Sequence, residues 1–274
     1  MQITIAQIKP TLGNIEKNLS IHLEWIEKNK KSDLIIFPEL SLTGYFLKDQ
    51  VPSVAMSLDA EPIKKILKAT ANKDVIFGFV EKSAQDLYFI AQVYAHHGKI
   101  VHVHRKVYLP TYGIFDDSRF LAAGDSLEIF EIQGLKAGIL ICEDAWHYPM
   151  AYLLALKGAK VIFISSCSPL SGLTSKGEQP QSIERWQKIA ETYALLLGVY
   201  VVFTNRVGVE DGITFSGASF VVSPQGEILH QAKRIEEENM TFDLDLAAIT
   251  RARTELPLLR DENLKWTLKQ LQNI

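Results

Sequence analysis

Four polar side chains stand directly after apolar segments of the sequence. They are Glu39 after DLIIFP, Lys106 after KIVHVHR, Cys142 after KAGILI and Asn205 after VYVVFT. A thiol, a carboxylate and an ammonium group are the set that covalent catalysis without a metal ion requires. The thiol attacks as the thiolate, which a nearby lysine favours, and a carboxylate can accept its proton. We therefore predict a nucleophilic site that contains Cys142, Glu39 and Lys106.

The segments that would position these residues alternate between strand and helix patterns. Apolar, β-branched runs predict strands at 3–8, 33–37, 74–80, 87–95, 99–109, 127–132, 136–142, 160–166, 199–205 and 219–223. Helical spacing of apolar residues predicts helices at 15–29, 61–71, 149–157 and 182–197, with a charged surface segment from Arg251 to Asp261 and a last helix at 262–272. This alternation predicts an α/β architecture, in which strand ends open into the ligand crevice. A hairpin at 97–99 makes the sheet mixed.

Composition favours one soluble globular domain over residues 1–274, with 47% hydrophobic and 22% charged residues and no linker. A chain of this length buries a core large enough to need no disulfide or cofactor. The charge balance of 29 − 32 = −3, without a basic run, argues against a nucleic-acid partner. The longest uncharged stretches, 161–175 and 212–226, have 15 residues each and are too short to span a membrane.

The cysteines and the N-terminus favour a cytoplasmic location. Cys142 and Cys167 are too few for a secreted disulfide framework, and MQITIAQIKP lacks the pattern of a secretory leader. Both thiols are expected to be free. Cys167 is predicted to be a small buried apolar residue rather than a second nucleophile.

Five segments together resemble the motifs of the nitrilase, or carbon–nitrogen hydrolase, superfamily, and they occur in the order of that family. The segments are FPELSLTGY at 37–45, KVYLPTYGIFDDSRF at 106–120, GILICEDAW at 138–146, NRVG at 205–208 and FSGASFVVSPQGEIL at 215–229. The resemblance covers nearly the whole chain. It implies a four-layer αββα sandwich with two mixed β-sheets, no cofactor, and a homodimer or higher homo-oligomer.

The resemblance also implies a catalytic triad of Glu39, Lys106 and Cys142. In this scheme Cys142 attacks an amide or nitrile carbon, and Glu39 acts as general base and acid. Lys106 and the backbone N–H of Glu143 stabilise the oxyanion. Ammonia leaves, and water then cleaves the thioester.

Asp117 departs from the family pattern. Eleven residues after the lysine, members commonly carry glutamate, whereas this chain has the shorter carboxylate of Asp117 in FDDSRF. If this carboxylate orients Lys106 or the attacking water, the shorter side chain of aspartate changes the geometry of the catalytic site. The alternative is a surface residue that pairs with Arg119 or caps a turn.

The CEDAW sequence resembles the glutaminase domain of glutamine-dependent NAD synthetases, and no synthetase domain follows before Ile274. The expected function is hydrolysis of a small primary carboxamide, with Tyr112, Glu143 and Trp146 as substrate-binding residues. A nitrilase, an N-carbamoyl amine hydrolase and a non-catalytic binding or scaffold member of the family stay open as alternatives. The stretch 165–177 follows a strand and could form a pocket wall.

Four histidines suggest a metal centre at first sight. They are His96, His97, His102 and His104. Because they lie on one predicted hairpin without cysteines or carboxylates at ligand spacing, no metal site is predicted.

Overall fold

Two mixed sheets form the centre of the computed structural model, which describes residues 1–172 and 179–274. The first sheet contains β1 (Gln2–Gln7), β2 (Leu34–Ile36), β3 (Asp74–Lys82), β4 (Tyr88–His96), β5 (Lys99–Arg105) and β14 (Glu238–Asp243). Its order is β14-β1-β2-β3-β4-β5. β1, β2 and β3 are parallel, and the pairs β14–β1, β3–β4 and β4–β5 are antiparallel.

The second sheet has the order β13-β12-β9-β8-β7-β6. Its strands are β6 (Ile129–Ile132), β7 (Leu135–Ile141), β8 (Val161–Ser166), β9 (Tyr200–Asn205), β12 (Phe220–Val222) and β13 (Ile228–Gln231). β7, β8 and β9 are parallel, so their carboxyl ends lie at one edge of the sheet. A separate two-stranded ribbon joins β10 (Val207–Glu210) to β11 (Ile213–Ser216).

Helices surround the two sheets. They are α1 (Ile15–Lys28), α2 (Val51–Val54), α3 (Glu61–Ala69), α4 (Asp117–Phe120), α5 (Tyr148–Leu156), α6 (Gln181–Leu197), α7 (Leu246–Glu255) and α8 (Leu264–Leu271). The side chain of Asn14 caps α1 by accepting a hydrogen bond from the backbone N–H of Lys17. α6 ends at Gly198, whose φ of 56° is the left-handed conformation that glycine adopts without steric cost.

The period-2 alternation of strand side chains explains why both faces of the first sheet are buried. On β3, Val75 and Phe77 pack with the apolar residues of α1 and α3, whereas Ile76 and Val80 face the second sheet. The second sheet packs on its other face against α5 and α6. The result is the predicted four-layer αββα sandwich with two mixed sheets.

Several elements differ from the sequence-based predictions. The strand predicted over 99–109 ends at Arg105, because the backbone N–H groups of Val107 and Tyr108 bind a buried carboxylate instead of a neighbouring strand. The pattern missed the short elements β10, β11, β13, α2 and α4, the mostly polar strand β14, and the helix α7. α7 includes Arg251 of the predicted surface segment and buries Ala248, Ile249 and Ala252. The predicted His97–Gly98 hairpin is present, with both residues at positive φ.

Across residues 1–172 and 179–274, no helix combines the length and the apolar character that crossing a membrane requires. The stretch predicted as a pocket wall lies partly outside the described residues, because residues 173–178 are not among them.

Candidate active site

The ammonium group of Lys106 lies between two carboxylates. Its Nζ donates hydrogen bonds to Glu39 Oε1 at 2.8 Å and to Asp117 Oδ2 at 2.9 Å. All three side chains are buried. Burial by itself lowers the pKa of Lys106, but the charges of Glu39 and Asp117 outweigh it and raise that pKa well above the usual value. Lys106 is therefore a fixed positive charge.

Glu39 is held by a strained turn after β2. Leu40, which follows it, has a φ of 47°, an uncommon conformation for a residue with a side chain. Gly78 on β3 makes room for this turn, because a Cβ there would lie 2.8 Å from the backbone nitrogen of Leu40. The second oxygen, Oε2, accepts the backbone N–H of Cys167 at 2.8 Å. Burial raises the pKa of Glu39, while the charge of Lys106 lowers it, and the net shift is upward. A carboxylate with a raised pKa is a stronger base.

Cys142 begins a 3₁₀ turn, Cys142–Trp146, directly after β7, with a φ of 45°. This sharp turn places the sulfur at the carboxyl edge of the second sheet, and the residue is 8% exposed. Burial and the charge of Glu39 raise the pKa of the Cys142 thiol, whereas the charge of Lys106 lowers it. The Ser166 hydroxyl donates to its sulfur at 3.3 Å.

Asp117 is not the surface residue of the alternative interpretation. Besides Lys106, it accepts the hydroxyl of Tyr45 at 2.7 Å, and it is buried. Arg119 lies instead 3.8 Å from the exposed Asp116. The structure thus brings together Glu39, Lys106, Cys142 and Asp117.

Sequence reasoning missed Asp144, which connects the segment that follows Lys106 to the turn that begins at Cys142. Its Oδ1 accepts the backbone N–H groups of Val107 and Tyr108, each at 3.0 Å. Its Oδ2 accepts Ile141 N–H at 3.1 Å and lies 2.8 Å from His104 Nε2. Asp144 is fully buried, and these bonds end β5 before Val107. Only its position two residues after Cys142 could have drawn attention to it.

A cavity of about 210 Å³ opens onto Cys142. The three predicted substrate-binding residues line it, together with Trp186 and Arg185. Tyr112 donates its hydroxyl to Glu143 Oε2 at 2.8 Å, and Trp146 packs edge-on against Trp186. The volume suits a small substrate.

Asn205 and Cys167 lie beside the site and form hydrogen bonds with the surrounding backbone. The side chain of Asn205 bonds to the backbone of Ser168 and Gly217 and to the hydroxyl of Ser216, away from the cluster around Lys106. Cys167 is buried, as predicted, and its thiol donates to the carbonyl oxygen of Glu39 at 3.1 Å.

The four histidines separate into two groups. His104 binds Asp144, and His102 stacks on Phe130. His96 and His97 lie near Asp74, a carboxylate that sequence spacing did not reveal. Their rings are stacked at 4.0 Å and 14°. The in-plane lone pairs of two nearly parallel rings do not converge on one ion, so this arrangement is a poor metal site.

With this geometry in view, comparison with known proteins places the chain in a family. The family model described as carbon-nitrogen hydrolase matches residues 2–254. The chain therefore belongs to the carbon–nitrogen hydrolase family, whose members act on carbon–nitrogen bonds.

The chain is also similar to individual members of this family and to solved structures. The glutamine-dependent NAD(+) synthetase of Thermotoga maritima is 34% identical over 253 residues, covering 90% of this chain and 42% of the relative. The chain thus spans less than half the length of that relative. A carbon-nitrogen hydrolase from Helicobacter pylori G27 superimposes with a TM-score of 0.87 at 28% identity, covering 99% of this chain and 98% of the other. The glutamine-dependent NAD+ synthetase of Acinetobacter baumannii gives a TM-score of 0.80 at 29% identity, over 90% of this chain and 46% of the other.

Proposed function

We propose that this chain hydrolyses a small primary carboxamide through a thioester on Cys142 and releases ammonia. The observation that carries the proposal is the Lys106 ammonium group, which is held between Glu39 and Asp117 beside the buried thiol. A fixed positive charge in a buried site stabilises the oxyanion of a tetrahedral intermediate.

In the first half of the reaction, the Cys142 thiol proton passes to Glu39 and the sulfur bonds to the amide carbon. Lys106 and the backbone N–H of Glu143 stabilise the oxyanion. Glu39 then returns the proton to the nitrogen, the C–N bond breaks and ammonia leaves. The raised pKa of Glu39 supports both proton transfers.

In the second half, water attacks the thioester carbon while Glu39 accepts its proton. The C–S bond then breaks, its electron pair returns to the sulfur, and Glu39 gives the proton back to Cys142. The products are a carboxylic acid and the original enzyme. No cofactor takes part in these steps.

The pocket supports a substrate that carries both charges of an amino acid. The Glu143 carboxylate suits an ammonium group, and Arg185, which lines the same cavity, suits a carboxylate. Glutamine has both groups and a terminal carboxamide, and the names of the curated relatives include glutamine dependence. We therefore propose Tyr112, Glu143 and Trp146 as substrate-binding residues, with glutamine as the first substrate to test.

The test combines ammonia release with mass spectrometry of the intact protein. L-glutamine and acetamide, together with a nitrile and an N-carbamoyl amine of matched size, are incubated with the wild type, Cys142→Ala and Cys167→Ala. We expect ammonia from amides with the wild type and Cys167→Ala, and an acyl adduct on Cys142. If only the nitrile or only the carbamoyl compound is turned over, that compound's class would replace primary carboxamides as the substrate class. No turnover and no adduct with any compound would favour the non-catalytic alternative.

We further propose that residues 1–274 act as one domain in a homodimer within a reducing compartment. α5 and α6 expose Tyr148, Leu153, Leu195 and Leu196 on their outer layer, and such apolar surface is typical of a protein interface. Light scattering of the wild type and Leu196→Glu tests this association, because a dimer through this layer should dissociate in the variant.

A further inference from the structure

The sulfur of Cys142 receives a hydrogen bond from a side chain outside the predicted catalytic set. Ser166, the last residue of β8, is fully buried, and its Oγ donates to Cys142 Sγ at 3.3 Å. The register of the parallel strands β7 and β8 pairs Ile141 with Ser165. Cys142, which directly follows β7, therefore lies beside Ser166 at the end of β8. We propose that Ser166 is a further catalytic residue, whose hydroxyl stabilises the Cys142 thiolate.

The surroundings of the sulfur explain why such a donor matters. Burial raises the pKa of the Cys142 thiol and the charge of Glu39 raises it further, so the thiolate is unfavourable without compensation. Lys106 compensates through its charge, but its hydrogen bonds go to Glu39 and Asp117. Within residues 1–172 and 179–274, Ser166 is the only hydrogen-bond donor to this sulfur. Hydrogen bonds to charged groups are about twice as strong as neutral ones.

This role rests on the proposed function, in which the sulfur carries negative charge twice. It does so when the thiol proton has moved to Glu39, before the C–S bond forms. It does so again when the C–S bond of the second tetrahedral intermediate breaks and the electron pair returns to the sulfur. Ser166 keeps its proton in both events and transfers no atom, so it stabilises the attacking and the leaving thiolate alike.

The neighbouring serine offers a matched control. The Ser165 hydroxyl donates to the carbonyl oxygen of Phe37 at 3.3 Å and accepts from Gln92 at 2.9 Å, so it points away from the sulfur. Ser165 is as fully buried as Ser166. Replacing each by alanine therefore removes one buried hydroxyl, but only one of the two changes removes a bond to Cys142.

The experiment measures alkylation of Cys142 by iodoacetamide against pH, without substrate, and locates the label by mass spectrometry. Because iodoacetamide reacts with the thiolate, we expect Ser166→Ala to shift the inflection to higher pH and to slow labelling at pH 8 by about ten-fold or more. Ser166→Thr, which keeps the hydroxyl, should restore much of the rate, and Ser165→Ala should keep the wild-type profile.

Ser166→Ala with an unchanged profile, or Ser165→Ala with an equal shift, would overturn the inference. The absence of substrate separates this outcome from the proposed function. If no amide is hydrolysed, the pH dependence of Cys142 alkylation can still be measured and still tests the role of Ser166. If amides are hydrolysed but Ser166→Ala does not shift the alkylation profile, only the role of Ser166 is rejected.

Discussion

The ammonium group of Lys106 lies 2.9 Å from a carboxylate oxygen of Asp117, and both side chains are buried. The shorter carboxylate therefore still reaches the lysine. Lys106 also forms an ion pair with Glu39, so its single positive charge lies between two carboxylates.

Asp117→Asn tests the contribution of this charge. Asparagine keeps the size of the side chain but removes a carboxylate that holds Lys106 charged and in place. We expect kcat/KM for the best amide to fall by about ten-fold or more, which is about 1.4 kcal/mol of transition-state stabilisation. Asp116→Asn is the matched control, since Asp116 is exposed and pairs only loosely with Arg119. Equal activity of both variants would remove Asp117 from the catalytic set.

The two cysteines should differ sharply in reactivity. Cys142 borders the cavity, whereas Cys167 is 1% exposed and its thiol donates to the carbonyl of Glu39. Limiting iodoacetamide should label Cys142 first and abolish turnover, as peptide mapping can show. Cys142→Ser should be nearly inactive because a hydroxyl is far less acidic than a thiol. Activity lost through labelling of Cys167 alone would contradict the assignment.

Asp144→Ala should damage stability and activity together. It leaves the backbone N–H groups of Val107, Tyr108 and Ile141 without their buried acceptor. We expect the free energy of unfolding to fall by about 3 kcal/mol or more. Urea denaturation measures this change, with the exposed Glu128→Ala as a control. A loss of stability no greater than that of the control would show that Asp144 does not hold the two segments.

His22 should make stability depend on pH. It is buried on α1, with its ring 3.0 Å from the hydroxyl of Ser41, and burial lowers its pKa from 6.5 to about 4. Because His22 binds a proton more readily in the unfolded chain, the stability associated with its neutral buried state is fully present above pH 6.5. This stability is lost as pH falls towards 4. The loss reaches about 3 kcal/mol. Urea unfolding between pH 7 and pH 4.5 should show a weaker pH dependence for His22→Gln than for the wild type. Equal slopes would contradict the buried neutral state.

Removal of metal ions should leave turnover unchanged. The proposed steps use only Glu39, Lys106 and Cys142, and the stacked rings of His96 and His97 do not direct two lone pairs at one ion. Amide hydrolysis should therefore proceed at the same rate after dialysis against a chelator. The hairpin would be reassigned as a metal site if the chelator removed activity, zinc restored that activity in the wild type, and zinc failed to restore it in His96→Ala.

Local signals in the sequence determined most of the layered architecture. Apolar strands, periodic helices and glycine stops depend on neighbouring residues, so they predicted the central strands, α1, α6 and the β4–β5 hairpin. Family motifs likewise pointed to Glu39, Lys106 and Cys142. The polar strand β14 and the short ribbon of β10 and β11 lack a strong local pattern, because pairing with distant partners defines them.

Tertiary structure alone decided what these residues contact. Asp117 has the same local sequence whether it pairs with Arg119 at the surface or with Lys106 in the interior. Its hydrogen bonds with Tyr45 and Lys106, which are distant in the sequence, hold it in the interior. Asp144 and Ser166 gain their roles from strands brought together across the fold. The physical reason is that a hydrogen bond depends on distances of a few ångströms between atoms, which spacing along the chain does not fix for residues far apart in sequence.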